Sequence, residues 1–259
     1  MPIIDTEATM MPSDQYIMQL EVPVISILRG IGVDVFGQLM QASFAAGLGA
    51  IEVTMNTPDA EEIIARNREN VPSGKYLGMG TVRNLAEAER AYTAGAMFFV
   101  TPNVDLDVIG FARSKDIPVI AGGLTPTEVY NAWNAGASMV KVFPCRSLGG
   151  PQYIRALRGP FDQIPLVAVG GVNIRNVSEY LQAGATGVGV GLSLFGEQAV
   201  AAGDWDAVGK NVEQFIQRCM SAVSSQLTAT SLGLLFSANC QLISISKEAS
   251  LFSRQRCRP

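Results

Sequence analysis

The chain has 259 residues, a formal net charge of −4, 48% hydrophobic side chains and only 16% charged ones. This composition supplies a large interior and argues against a basic nucleic-acid surface. Histidine is absent, which excludes a Ser-His-Asp triad and any histidine-ligated metal. Proton transfer then falls to carboxylates, lysine, tyrosine or water.

Cys145, Cys219, Cys240 and Cys257 match no CxxC spacing and read as reduced thiols of a cytoplasmic protein. The amino-terminal Met-Pro-Ile-Ile-Asp-Thr-Glu has neither the basic nor the apolar region of a signal peptide. Residues 1–13 are expected as an N-terminal extension and 14–222 as one α/β domain that opens with a short N-terminal helix. Residues 223–259 are expected as an appended tail. In that tail the apolar stretch Leu227 to Ile245 is broken by Thr, Ser, Asn and Gln, so it is not read as a membrane span.

A first strand is predicted over Val24 to Arg29. A helical pattern then closes at Ala46-Gly47, ahead of the strand Ala-Ile-Glu-Val-Thr. The third strand is Tyr76 to Thr81. It is followed by a helix over Leu85 to Ala94, which ends at Gly95 before Met-Phe-Phe-Val-Thr-Pro. Pro118 to Gly123 is the fifth strand. Ala135-Gly136 precedes the sixth, Ser-Met-Val-Lys-Val-Phe-Pro. Pro165 to Gly171 is the seventh. After a helix over Val177 to Gln182 and Ala183-Gly184 comes the eighth, Thr-Gly-Val-Gly-Val-Gly. The Ala-Gly signal recurs at intervals of roughly 40 to 50 residues, the length of a strand-helix-strand-helix unit. Four units predict a (β/α)₈ TIM barrel, with an open doubly wound sheet as the alternative.

Function in such a barrel gathers at the carboxyl ends of the strands. Lys141 in strand six and Glu52 in strand two each interrupt an otherwise apolar run. One such residue alone fits a structural ion pair. Two of them, with Arg29 ending strand one, point to a site for an anionic substrate. Burial lowers a lysine pKa, and a neutral lysine attacks a ketone to give an iminium ion. Gly170-Gly171 and Gly191-Leu192-Ser193 follow strands seven and eight, where barrels bind phosphate. Together these features describe a metal-independent Schiff-base lyase.

On these residues the chain resembles the KDPG/KHG aldolase family of class I pyruvate aldolases. The matching segments are Ile27-Leu-Arg-Gly30, Ile51-Glu-Val-Thr54, Gly80-Thr-Val82, Thr101-Pro102 and Thr125-Pro-Thr-Glu128. Val140-Lys-Val-Phe-Pro144, Gly149 to Leu157 and Gly170-Gly171 complete them. The match runs in order from about Val22 to Val200. The resemblance implies Lys141 as the Schiff-base lysine and Glu52 as the general acid/base. It places Arg29, Thr81, Asn56 and Pro102 at the pyruvate carboxylate, and Gly170, Gly171, Gly191 and Ser193 at the phosphate.

The resemblance further implies a homotrimer with no cofactor or metal, acting on a small molecule and not on a membrane or nucleic acid. The implied reaction is reversible cleavage of 2-keto-3-deoxy-6-phosphogluconate to pyruvate and glyceraldehyde 3-phosphate. Cleavage of 4-hydroxy-2-oxoglutarate to pyruvate and glyoxylate is a second implied activity. Asn56 stands where gluconate-type members carry arginine, and Val169 where they carry threonine. Both resemble the 2-keto-3-deoxy-6-phosphogalactonate aldolases, the alternative reading. Leu192 stands where members often have a small residue. A phosphate-binding epimerase or isomerase using Glu52 without a Schiff base, and a barrel that only binds a ligand, are the remaining alternatives.

Overall fold

In this computed structural model the described residues are Leu20 and 24–225. The expected extension 1–13, the short N-terminal helix and the tail beyond 225 lie outside them. So do Cys240, Cys257 and the stretch from Leu227 to Ile245. Two compact units divide the chain, Met1–Met220 and Ser221–Pro259. The described residues of the second, 221–225, are helical.

The first unit alternates strands and helices. In chain order these are β1 (Val24–Leu28), α1 (Val33–Ala45), β2 (Ala50–Thr54), α2 (Ala60–Asn67), β3 (Tyr76–Gly80), α3 (Leu85–Ala94), β4 (Phe99–Val100) and α4 (Leu106–Ser114). Then follow β5 (Val119–Gly122), α5 (Pro126–Asn134), β6 (Met139–Val142), α6 (Pro151–Arg158), β7 (Leu166–Val169), α7 (Val177–Gln182), β8 (Gly187–Val190) and α8 (Glu197–Ala202). The strands form a closed barrel in sequence order, β8 pairing in parallel with β1 through Val24↔Val188 and Ser26↔Val190. The expected TIM barrel is therefore the fold, and the open sheet is excluded.

Several strands end earlier than the apolar pattern predicts, for a backbone reason. Thr81 has φ 55°, and Gly170 and Gly171 have φ 98° and 84°, conformations that leave a strand. At the far end, α8 stops at Gly203 (φ 65°), and a further helix starts at 205. Two helical segments therefore share the place where the sequence predicts one.

Three of the helices, α3, α4 and α5, begin on side-chain caps. Asn84 and Asp105 accept from the backbone N–H of Glu87 and Val108. Thr125 and Glu128 form a reciprocal capping box, with Pro126 in the first turn. The recurrent Ala-Gly glycines, Gly47, Gly95, Gly136 and Gly184, all have φ between 95° and 100°. Three of them have an arginine laid across the space a side chain would fill: Arg68, just past the end of α2, over Gly95, Arg113 of α4 over Gly136 and Arg158 of α6 over Gly184.

Side chains alternate between the barrel axis and the helical layer. Ile25, Ala50, Phe98, Val100, Ile120, Met139, Val167 and Val169 pack as the inner cluster. Gly78 in β3 makes room for the Phe98 ring, which lies 2.5 Å from where a Cβ would stand. Above Ala50 and Met139, two residues further along the same faces, come Glu52 and Lys141. The core thus ends in an inward ionisable layer at the carboxyl mouth.

Candidate active site

Lys141 is 6% exposed and Glu52 fully buried. Among the described residues neither carboxylate oxygen of Glu52 has a hydrogen-bond partner, an uncommon state for a buried carboxyl. Burial pushes the Glu52 pKa up to about 7, against the attraction of Lys141 and then Arg29. Burial likewise lowers the Lys141 pKa. Glu52 opposes that shift, and the like charge of Arg29 adds to it. The two groups therefore sit in one field without closing an ion pair, and both are pushed toward their neutral forms. Lys141 Nζ lies 5.2 Å from the centroid of the Phe143 ring, which is partly exposed at the mouth.

The sequence prepares this layer with small residues. A Cβ on Gly80 would fall 2.1 Å from Glu52 Oε1, and one on Gly122 would fall 2.4 Å from the backbone of Pro102. Pro102 is half-buried at the end of β4. Thr81, also half-buried, holds a left-handed backbone that is strained for a β-branched residue. Arg29 is exposed just past β1. Its loop is tied to the β2 loop by Gly30 N–H donating to Thr57 Oγ1 at 3.0 Å, and Thr57 Oγ1 also meets Thr54 Oγ1. Asn56 is exposed and makes no side-chain hydrogen bond among the described residues, so nothing links it to Lys141 or Glu52.

Beside this layer a cleft of about 600 Å³ opens between the loops after β6, β7 and β8. Its walls include Gly170, Gly171, Gly191 and Ser193, the four residues the sequence assigns to phosphate, and the inner-layer residues Ile27, Val169 and Gly189. Arg146, Asn173 and Arg175 also line it, and sequence reasoning missed all three. The available signal was position: Arg146 lies in the loop after the lysine strand, Arg175 in the loop after the double glycine. A larger groove of about 710 Å³ runs between α2 and α3 on the outer surface, away from both buried ionisable groups.

Cys145 and Cys219 are buried free thiols whose pKa values burial raises to about 11 and about 12, so neither is a thiolate nucleophile. Among the described residues no helix is long and apolar enough to cross a membrane.

Comparison with known proteins gives the family. The family model described as KDPG and KHG aldolase matches residues 17–211. A probable 2-dehydro-3-deoxy-6-phosphogalactonate aldolase of Rhizobium meliloti (strain 1021) is 37% identical, over 71% of this chain and 87% of its own. A 2-dehydro-3-deoxy-phosphogluconate aldolase of Treponema pallidum (strain Nichols) is 32% identical, over 76% and 91%. Among solved structures, one described as native KDPGal superposes with a TM-score of 0.73 at 32% identity, covering 80% of this chain and 98% of that one. A KDPG aldolase from Legionella pneumophila, with pyruvate captured as a covalent carbinolamine intermediate, superposes with a TM-score of 0.70 at 26% identity, covering 78% and 97%. The chain is therefore an aldolase, a carbon–carbon lyase that belongs to the KDPG and KHG aldolase family.

Proposed function

We propose that this aldolase cleaves a 2-keto-3-deoxy-6-phospho sugar acid reversibly to pyruvate and glyceraldehyde 3-phosphate through a Schiff base on Lys141. The observation that carries the proposal is the pairing of a buried, pKa-lowered lysine with a buried, partnerless carboxyl of pKa about 7.

Neutral Lys141 Nζ attacks the C2 ketone, and the carbinolamine loses water to give an iminium ion. Glu52 supplies the proton for that loss and then takes the proton of the C4 hydroxyl, directly or through water. The C3–C4 bond breaks, its electrons pass into the iminium, and the aldehyde departs. The remaining enamine takes a proton at C3, and water releases pyruvate and the free amine. A carboxyl of pKa about 7 serves both as donor and as acceptor near neutral pH. Arg29, Thr81 and Pro102 serve the carboxylate end in this scheme, and the glycine loops serve the phosphate.

Of the two epimers, the galactonate form takes precedence over the gluconate form that the sequence reading put first. Val169 places a methyl group, not a hydroxyl, on the inner wall beside Gly189. Two relatives named as galactonate aldolases are 37% and 36% identical, whereas those named as gluconate aldolases are 32% and 31%. A cytoplasmic homotrimer completes the proposal, on the family resemblance.

The test is borohydride reduction in the presence of pyruvate. A pyruvyl adduct is expected on Lys141 by mass spectrometry, and none in Lys141→Ala. Folded protein that gives no adduct sinks the Schiff-base reading. An epimerase would instead tolerate Lys141→Ala better than Glu52→Gln.

A further inference from the structure

The cleft beside the lysine layer carries two guanidinium groups, Arg146 and Arg175, and, among the described residues, no carboxylate in its walls, although the whole chain is net acidic. Among the described residues neither arginine forms an ion pair, whereas Arg66, Arg68, Arg83 and Arg90 each meet a glutamate. Two unneutralised cations facing one concave space call for an anion.

Arg146 is built into the double-glycine turn. Its N–H donates to Gly170 O at 3.1 Å. Its stem crosses Gly171, where a Cβ would fall 2.4 Å from Arg146 Cδ and 2.7 Å from its Cβ. The carbonyl oxygens of this turn are engaged by protein donors: Gly170 O by Arg146 and Gly171 O by Asn176 Nδ2 at 2.9 Å. The N–H groups of Gly171 and Val172 have no acceptor among the described residues. The turn thus satisfies these acceptors internally and leaves the two donors unpaired among the described residues, with the arginine stem laid across it.

We propose that Arg146, seated on Gly171 and seconded by Arg175, is the side-chain determinant that selects substrates ending in a phosphate. The inference rests on the functional reading above for where that end of the substrate lies. It adds charged side-chain recognition to a site otherwise made of glycine backbone and one serine. A planar fork of donors matches phosphate oxygens in pairs, and a second cation at the rim suits a dianion better than a single carboxylate.

The test uses glycerol 3-phosphate as probe, with calorimetry on the full chain and on Arg146→Gln and Arg175→Gln. Arg146→Gln should weaken binding about ten- to a hundredfold, the range for a lost charge-assisted contact, and Arg175→Gln by less. Pyruvate trapping by borohydride should be equal in Arg146→Gln and the unmodified chain. Binding within twofold of the unmodified chain overturns the proposal, as does failure of the unmodified chain to bind the probe. Loss of pyruvate trapping in Arg146→Gln also overturns it, because the arginine would then act through the fold. An Arg146-dependent affinity without any pyruvate adduct leaves this proposal standing and removes the Schiff-base reading instead.

Discussion

Gly80 and Glu52 share one volume: the space a methyl group would take on Gly80 is filled by the carboxyl, with Oε1 2.1 Å from the methyl position. Paired across β2 and β3 one step away, Thr54↔Gly80 fixes that approach. Gly80→Ala should therefore push the carboxyl off its position while the closed barrel persists. Misplacement by about 1 Å costs on the order of a hundredfold in rate. Lyase kcat is expected to fall by that order with circular dichroism unchanged, and a variant of full activity would show that Glu52 has freedom to spare.

Glu52→Gln removes the proposed proton carrier and keeps the shape. Its kcat should drop about 10²- to 10⁴-fold, the usual worth of a positioned acid/base. The limb of the pH–rate profile near pH 7, where the unmodified enzyme titrates, should disappear. Persistence of that limb in the variant would assign it to another group.

The same carboxyl makes stability depend on pH, and the sign is fixed. Its folded pKa of about 7 exceeds the ordinary 4.5, so between those values the native state holds a proton that the unfolded state has lost. Stability contributed by the group is complete below pH 4.5 and declines as pH rises to about 7, by on the order of 3 kcal/mol. Denaturant titrations should show that decline in the unmodified chain and not in Glu52→Gln. Parallel curves for the two proteins would contradict it.

Thr57 holds the Arg29 loop through the N–H of Gly30. Thr57→Val leaves that donor without its acceptor, at a cost of about 1–3 kcal/mol shared between stability and loop position. The expected result is a severalfold higher KM for pyruvate in the condensation direction with kcat nearly kept, and recovery in Thr57→Ser.

Val169→Thr exchanges a methyl for a hydroxyl on the inner wall of the cleft. The kcat/KM ratio of the gluconate to the galactonate epimer should rise at least about tenfold, the scale of one added polar contact. An unchanged ratio would place stereochemical selection elsewhere.

The barrel was legible because each Ala-Gly pair ends a helix in a left-handed turn and each following run is apolar on both faces. Lys141 and Glu52 stood out since a charge inside such a run has no surface to reach. Strand ends were less legible, because the backbone conformations of Thr81 and Gly170 that end β3 and β7 follow from loop closure and not from residue type. Arg146 and Arg175 lie in loops without period. Arg146 reaches the cleft only because Gly171, 25 positions later, lacks a side chain, a pairing that no local pattern encodes. Asn56, assigned to the substrate carboxylate from the family resemblance, is exposed and makes no side-chain hydrogen bond among the described residues.

Closure of β8 onto β1 has a consequence for the growing chain. Lys141 and Glu52 are both present once about two-thirds of the barrel has been synthesised, but the cleft beside them takes walls from β1, β7 and β8. Those walls meet only when the last strand zips to the first. A ribosome-bound fragment ending before Gly187 therefore carries the lysine without the closed cleft beside it. Chemical competence arrives in one late step, with completion of the ring.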